Sequence, residues 1–316
     1  ITNPSNSILL TFIGSTTNVY TINPDGLTFM SQLQVPNYIL NSHGGAFNSD
    51  GSLCVSGGCI FSVNESDFTY SYWMEGTHSE AGQSIGLPGD FIFSPKDDFI
   101  LRFGENVNFN IDNQYPFSTN SPCYIYSIGD SVSGSKKLSE INSDTNVATF
   151  NKSGELLITG GNSGCFVYSV NGETVQILYE LKSNGNSIIN CTCIKLSNNG
   201  TVLLIASMPE NYTESRIDIY SVSGNDITWI TNINNNSVSF DGIVYDATFN
   251  PSDSICIVSG TFTDRAYEFN TGVDGIISEN IFQINNDFHL RRYGQKIEVT
   301  DNNNDILSTS YILGNE

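Results

Sequence analysis

Basic residues are scarce in this sequence of 316 residues: 12 Lys and Arg stand against 33 Asp and Glu, a formal net charge of -21 at pH 7. A nucleic acid or an anionic membrane surface has to be met by clustered Lys and Arg. No apolar run approaches the ~18 residues that a membrane-spanning helix needs. The sequence therefore predicts neither nucleic acid binding nor membrane insertion.

Recognisable catalytic and metal-binding motifs are also missing. The three histidines do not accompany a Ser or Cys in a nucleophile motif, and no glycine-rich phosphate loop or paired carboxylates stand out. The cysteines form no CxxC pair of the kind that zinc sites use. Residues 301–305 (DNNND) resemble the start of a calcium loop but lack its later glycine and carboxylate, which favours a polar turn. We therefore predict no catalytic residue, no metal and no cofactor.

A repeated unit is what the sequence does contain. The segment 150–170 reads as a polar turn, an apolar strand, a glycine turn and a strand that ends in Tyr-Ser-Val. Six copies of the polar turn with its apolar strand lie at 3–14, 47–58, 93–104, 150–161, 196–207 and 249–260. Such spacing is near the ~40–50 residues of propeller repeats.

Each copy has room for four short strands. The strands after the polar turn are apolar nearly throughout, as expected when neighbouring sheets cover both faces. The fourth strands alternate polar and apolar residues, which is typical of a half-exposed outer strand. We place these outer strands at 27–35, 67–73, 174–181, 226–233 and 276–284.

The motif F-[SN]-x-[SD]-[GDNS]-x-[LI], followed by an apolar strand and [VI]-[YF]-[ST]-[VI], resembles the WD40-like β-propeller family over nearly the whole chain. Tyr or Phe replaces the family's Trp, Ser or Thr replaces its Asp, and its Gly-His dipeptide is absent. The resemblance implies an all-β propeller of four-stranded antiparallel blades. We predict seven blades, with six as the alternative, in a single domain over residues 1–316. Pairing of the N- and C-terminal strands is expected to close the ring, because closure removes free sheet edges.

The predicted function is a non-enzymatic protein-binding or structural scaffold module that binds other proteins or copies of itself. The alternative is an extracellular glycan-binding or glycan-processing propeller. Propeller enzymes assemble their sites from scattered residues, so an unrecognised hydrolase or lyase is the minor alternative to a protein without enzymatic activity.

Two parts of the chain are candidates for partner binding. Residues 74–90 and 104–122 exceed what the repeat needs, and the second insertion carries Phe109, Tyr115 and Phe117 as binding anchors. Residues 289–296 hold three of the 12 basic residues, namely Arg291, Arg292 and Lys296. This basic segment is either a local charge balance or a docking patch for an acidic surface such as a second copy.

Seven cysteines cannot all pair within the chain. Most stand at equivalent positions of different repeats, too far apart for disulfides, so we expect buried thiols. Cys54 and Cys59 flank a tight turn and are the one candidate disulfide. Scarce lysine and a first residue other than Met favour an extracellular or surface location, with the cytoplasm as the alternative. Of the six glycosylation sequons, Asn211 is predicted to be the most accessible.

Overall fold

The structure is a computed structural model. It describes residues 1–13, 16–34, 44–64, 67–74, 90–104, 123–129, 135–141, 144–171, 174–208, 215–233, 243–249, 253, 255–260, 267–271, 277–283, 288–293, 296–301 and 306–311. Beyond residue 258 it describes the backbone. These residues form strands and turns without a helix. The chain divides into two compact units, Ile1–Cys191 and Thr192–Glu316.

The first unit contains four antiparallel sheets and a small hairpin. Sheet 1 comprises β1 (Ile8–Ile13), β2 (Thr16–Asn23) and β3 (Gly26–Gln32). Sheet 2 comprises β4 (Gly45–Phe47), β5 (Leu53–Ser56), β6 (Cys59–Asn64) and β7 (Asp67–Trp73). Sheet 3 comprises β8 (Asp90–Phe93), β9 (Phe99–Phe103), β10 (Cys123–Ser127) and β11 (Lys137–Ile141). Sheet 4 comprises β12 (Val147–Phe150), β13 (Leu156–Gly160), β14 (Cys165–Asn171) and β15 (Thr174–Glu180), and the hairpin pairs β16 (Lys182–Ser183) with β17 (Asn186–Ser187).

The second unit contains three more sheets of the same kind. Sheet 5 comprises β18 (Cys191–Leu196), β19 (Val202–Ser207), β20 (Arg216–Ser223) and β21 (Asp226–Ile233). Its first residue, Cys191, is the last residue of the first unit. Sheet 6 comprises β22 (Val244–Phe249), β23 (Ile255–Gly260), β24 (Tyr267–Thr271) and β25 (Ile277–Gln283). Sheet 7 comprises β26 (Phe288–Tyr293), β27 (Lys296–Asp301) and β28 (Ile306–Tyr311).

These sheets are the blades of a β-propeller. Within the described residues there are five four-stranded and two three-stranded sheets, which is consistent with the predicted seven blades. The five predicted outer strands are present with ends shifted by no more than a few residues. In sheet 1 an isolated bridge from Thr2 to Leu9 stands at the place of the first strand, so β1, β2 and β3 correspond to the second, third and fourth strands of the other sheets. A single domain closed by its terminal strands stays a prediction.

The polar turns explain why the repeat is so regular. In five sheets an Asn or Ser side chain accepts a hydrogen bond from the backbone N–H five residues later, at 2.8–3.0 Å. The accepting residues are Asn3, Asn48, Ser94, Asn151 and Ser197. Such short polar side chains form these local turns readily. Each turn reverses the chain and starts the second strand of its sheet.

The fourth residue of the turn has a positive φ in sheets 1 to 6. It is glycine in three sheets (Gly51, Gly154 and Gly200) and Asn6, Asp97 or Asp253 in the others. Glycine adopts this conformation without a Cβ clash, and Asn and Asp tolerate it better than other residues. The [GDNS] position of the motif therefore has a conformational cause.

Neighbouring sheets pack face to face through apolar second and third strands. The side chains of β9, β13 and β19 are buried along their whole length. One apolar cluster joins sheets 1 and 2, another joins sheets 2 and 3, and a third joins sheets 3 and 4. In the second unit a cluster joins sheets 5 and 6. Stacking of blades by their faces is what the apolar strands predict.

No helix among the described residues is long and apolar enough to cross a membrane.

Candidate functional site

The two ends of each sheet differ in composition. We call the end with the polar turn the turn end, and the opposite end, where the second strand finishes and the third begins, the loop end. In an antiparallel meander the connection to the next sheet also leaves from the loop end. Both long insertions of the sequence, 74–90 and 104–122, therefore join sheet 3 at its loop end.

The repeat allows equivalent residues of the sheets to be aligned. The alignment shows one row of residue pairs that departs from the apolar pattern of the second and third strands. Two residues after the start of the second strand, each pair with the third strand is apolar and buried, as in Leu101 with Ile125 or Leu204 with Ile219. One residue further, the pairs are Thr11–Asn18, Ser56–Cys59, Arg102–Tyr124, Thr159–Phe166 and Ile205–Asp218. We call this row the loop-end layer. It is polar in most sheets although it lies next to a fully apolar row.

Several buried polar atoms of the loop-end layer have no hydrogen-bond partner within the described part of the chain. In the first unit these are Thr11 Oγ1, Asn18 Oδ1 and Thr159 Oγ1, and Asn146 Oδ1 in the segment that enters sheet 4 behaves in the same way. Buried polar groups are nearly always paired in native proteins, so each exception needs an explanation. Their grouping at one end points to a ligand site.

In the first unit, sheet 3 carries the charged residues of this layer. Phe91, Arg102, Tyr124 and Glu140 lie side by side across its four strands. Residues directly opposite one another project to the same face of a sheet. Arg102 is 2% exposed, and its guanidinium carbon lies 5.6 Å from the centre of the Tyr124 ring.

A second cation contacts the same ring. Lys137 Nζ lies 4.0 Å from the centre of the Tyr124 ring and donates a hydrogen bond of 3.0 Å to Glu140 Oε2. The Lys137 and Glu140 side chains are 37% and 40% exposed, so solvent reaches the pair. We call Arg102, Tyr124, Lys137 and Glu140 the Tyr124 cluster.

The charge state of Lys137 follows from these contacts. Desolvation by burial lowers the pKa of its ammonium, but the hydrogen bond and charge of Glu140, with Tyr124 and Tyr126, outweigh it and raise the pKa above 10.5. Lys137 therefore remains a cation at neutral pH. The cluster presents one solvent-accessible ammonium and one carboxylate at the loop end of sheet 3.

The segment that leads from sheet 3 into sheet 4 is held by close contacts. Asn146 Nδ2 donates to Asn162 Oδ1 at 3.1 Å, and the Asn162 N–H donates to Asp144 Oδ2 at 3.3 Å. A Cβ at Gly161 would lie 1.5 Å from the Asp144 carbonyl oxygen. Only glycine fits there, and this close approach fixes Asp144 and Asn146 beside the layer.

Metal and thiol chemistry find no support among the described side chains. They contain no group of three or more His, Cys, Asp or Glu that could hold a metal ion. All seven cysteines are buried free thiols. Burial raises the pKa of Cys54, Cys59 and Cys123, and burial followed by the charge of Cys193 raises that of Cys256 to about 12. Protonated, inaccessible thiols are poor nucleophiles and poor metal ligands.

The disulfide predicted between Cys54 and Cys59 is not formed in the structure. The strand register pairs Cys54 with Phe61 and Cys59 with Ser56, so the two cysteines sit diagonally rather than opposite each other. The expectation that they face each other across the hairpin is therefore wrong.

The other predicted site residues lie outside the described residues or in sheet 7 of the second unit. Phe109, Tyr115, Phe117 and Asn211 lie outside the described residues. Arg291 and Arg292 lie in β26 opposite Glu298 and Ile297, and Lys296 lies in β27 opposite Tyr293. Their role in docking stays a prediction, as does an extracellular location.

Sequence reasoning missed the residues of the Tyr124 cluster. It identified the third strand of sheet 3 but did not recognise β11, which supplies Lys137 and Glu140. Two signals were available. Arg102 is a charged residue inside an apolar strand, and the other repeats each have an outer strand at the place of β11.

Comparison with known proteins identifies the fold and not the family. No family model matches the sequence, and no curated protein is similar to it. Solved propellers are similar in structure. One is a functionally unknown protein from Desulfotomaculum acetoxidans, with a TM-score of 0.63, 15% identity and coverage of 97% of this chain and 95% of that one. The β-propeller domain of Cps50 (Swd1) from Myceliophteria thermophila has a TM-score of 0.61 at 11% identity and covers 96% and 93%.

A third similar structure is an enzyme. The periplasmic gluconolactonase PpgL of Pseudomonas aeruginosa has a TM-score of 0.58 at 11% identity and covers 85% of this chain and 77% of that one. Such low identities show the shared fold alone.

The prediction of a non-enzymatic scaffold is wrong. It was drawn from the propeller repeat and the lack of catalytic motifs, but gluconolactonase PpgL has the same fold. The physical reason is that a propeller is a framework, and its loop-end residues decide what it does. The prediction that the chain is not an enzyme is accordingly not supported.

Proposed function

We propose that this protein is a propeller hydrolase that opens small sugar-derived lactones at the loop end of sheets 1 to 4. The observation that carries the proposal is the set of buried, unpaired hydroxyl and amide oxygens at Thr11, Asn18, Asn146 and Thr159. Its support from comparison is the similar fold of a gluconolactonase.

The unpaired groups match the chemistry of a sugar. A hydroxyl both donates and accepts hydrogen bonds, and an amide oxygen accepts them. A polyhydroxylated ligand offers both kinds of partner at once. An apolar ligand would leave the same oxygens unpaired, at roughly 1–3 kcal/mol each.

The Tyr124 cluster supplies the groups that hydrolysis needs. Water adds to the lactone carbonyl carbon, the ring C–O bond breaks, and the ring oxygen takes a proton to become a hydroxyl. Glu140 is a solvent-accessible carboxylate that can accept the proton of the attacking water. Lys137, a cation at neutral pH, can stabilise the negative oxygen that forms on the carbonyl.

The net charge of -21 fits a neutral substrate and an anionic product. A strongly acidic protein repels anions over distances of about a Debye length. A lactone carries no charge and approaches freely. The acid formed by its hydrolysis is negative, and repulsion favours its release.

The test measures ring opening of δ-gluconolactone by the intact protein, from proton release above the spontaneous rate. We compare wild type with Lys137→Met and Glu140→Gln. The matched control changes another solvent-accessible ion pair, with Lys182→Met and Glu180→Gln, because Lys182 Nζ lies 3.3 Å from Glu180 Oε2 on sheet 4 and its hairpin. We expect a loss of about a hundredfold for each cluster variant, as for a removed general base at Glu140 or a removed oxyanion donor at Lys137, and none for the control.

Two results would reject the proposal. One is a wild-type rate no faster than the spontaneous reaction. The other is an equal loss in both pairs of variants with unchanged melting temperatures, since that would remove any special role of the Tyr124 cluster.

A further inference from the structure

The loop end of sheet 5, in the second unit, departs from the repeat in two places. The first departure is five positions after the first residue of the second strand. Sheets 2, 3 and 4 have Gly58, Gly104 and Gly161 at this position, whereas sheet 5 has Ser207. In the loop-end layer its third strand has Asp218 where sheets 3 and 4 have aromatic residues. The first departure adds a hydroxyl in place of a glycine hydrogen, and the second adds a carboxylate in place of an aromatic ring.

Asp218 holds an arginine in a fixed orientation. Its carboxylate is 0% exposed and accepts hydrogen bonds from Arg216 Nε at 2.8 Å and from the Trp229 indole N–H at 3.2 Å. A buried carboxylate is stabilised by such charged and polar donors. The hydrogen bond from Trp229 occupies Asp218 Oδ1, and the hydrogen bond from Arg216 to Oδ2 orients the plane of the guanidinium.

Arg216 has further donors beyond its bond to Asp218. Its side chain is 20% exposed, and Asp218 is its only recorded ion-pair or hydrogen-bond partner in the described part of the chain. The bond to Asp218 uses Nε and leaves the two terminal nitrogens with their four N–H groups. A guanidinium held in this way is pre-organised to bind a planar or tetrahedral anion.

A second observation points to the same place. Ser207 is 1% exposed, and its hydroxyl has no hydrogen-bond partner among the described residues. Ser207 lies directly opposite Arg216 in the strand register. Opposite residues of an antiparallel pair project to the same face, so the hydroxyl and the guanidinium share one side of sheet 5.

We infer that Ser207 and Arg216 form a binding site for a carboxylate or phosphate group, with Asp218 and Trp229 as its positioning residues. The terminal Arg216 nitrogens bind two oxygens of the anion, and the Ser207 hydroxyl donates to one of them. The two terminal nitrogens of a guanidinium match the spacing of two oxygens in a carboxylate or a phosphate group. The site is in the second unit and does not depend on the hydrolase proposal.

Anion binding at this site depends on short-range contacts, because the chain as a whole is acidic. Asp218 balances the charge of Arg216, and the whole chain carries -21, so long-range attraction does not draw an anion in. Binding therefore rests on directed hydrogen bonds. We expect modest affinity and only a small change in affinity with ionic strength.

The experiment follows the indole N–H signals of the intact protein by two-dimensional NMR. The sequence contains two Trp residues, Trp73 and Trp229, which gives one reporter and one internal reference. Inorganic phosphate and acetate are added in separate titrations, with sodium chloride at matched ionic strength as the reference. We expect the Trp229 signal to move in a saturable way while the Trp73 signal stays in place. The anion with the lower dissociation constant, phosphate or acetate, identifies the class of group that the site binds.

Two variants test the assigned contacts. Ser207→Gly introduces the glycine that sheets 2, 3 and 4 have at this position. Arg216→Lys keeps the positive charge but removes the two terminal guanidinium nitrogens. Both variants are therefore compatible with folding. We expect each to bind about tenfold more weakly, as for one lost charge-assisted hydrogen bond. The inference is overturned if sodium chloride moves the Trp229 signal as far as phosphate and acetate do, or if both variants bind with unchanged affinity.

Discussion

At the turn end of the sheets the same hydrogen bond recurs five times, whereas at the loop end no two of sheets 1 to 5 carry the same residue pair. The turn end satisfies its polar groups within a few residues of chain. The loop-end layer leaves buried oxygens at Thr11, Asn18 and Thr159 without partners in the described residues. The difference indicates that the turn end maintains the fold and that the loop end is available for binding.

The turn ends also connect neighbouring sheets. The Asp253 carboxylate accepts hydrogen bonds of 2.7 Å from the Asn198 N–H, the Asn198 side-chain amide and the Asn199 N–H of the preceding sheet. Asp97 accepts bonds from the N–H and hydroxyl of Ser49 in the same way. A residue selected for its backbone conformation thus also links two blades.

The largest predicted effect is at this link. Asp253→Ala removes a buried carboxylate that accepts three hydrogen bonds at the partly buried link to sheet 5, so we expect the free energy of unfolding to fall by about 2 kcal/mol. Asp97→Ala is the matched control, because it places the same residue at the same left-handed position in an exposed turn, and we expect a loss of about 1 kcal/mol. Urea denaturation measures both. Equal losses would mean that burial of Asp253 adds nothing to the strength of its link.

The second prediction contrasts the two ends of sheet 4. Asn151→Ala removes the acceptor of the Leu156 N–H at the turn end, and we expect a loss of about 1 kcal/mol. Thr159→Val replaces an unpaired buried hydroxyl at the loop end by a methyl group of similar shape, and we expect no loss or a gain of up to about 1 kcal/mol. Thermal unfolding curves of the two variants compare them directly. A destabilised Thr159→Val would show that its hydroxyl serves the fold.

The smallest predicted effect concerns pH at the Tyr124 cluster. The pKa of Lys137 is raised in the folded protein, so the stability it contributes is fully present below its unfolded pKa of 10.5 and is lost as the pH rises through the folded value. The pair is solvent-exposed, which limits the effect to about 0.5 kcal/mol or less. Denaturant midpoints of wild type and Lys137→Met should differ at pH about 8 and converge as the pH rises past the folded pKa of Lys137. A difference that grows with pH would have the wrong sign.

Most of the fold could be predicted because its determinants are local. A turn such as the one at Asn151 joins residues five positions apart, and a strand such as β13 shows its burial as a run of apolar residues. Both features repeat, so each copy supports the interpretation of the others. Blade number and outer strands followed from the same pattern.

The candidate site could not be predicted from local patterns. Arg102, Tyr124 and Lys137 come together only when β9, β10 and β11 pair across a long insertion, and Ser207 meets Arg216 only through the register of β19 and β20. Cys54 and Cys59 illustrate the same limit, because five residues of separation did not reveal that the strand register sets them diagonally. The sequence alone determined the repeat, the turns and the apolar strands, since these depend on short-range backbone preferences and burial. Which polar side chains share the loop end was decided by the tertiary structure, because strand register and sheet stacking bring together residues that no sequence period relates.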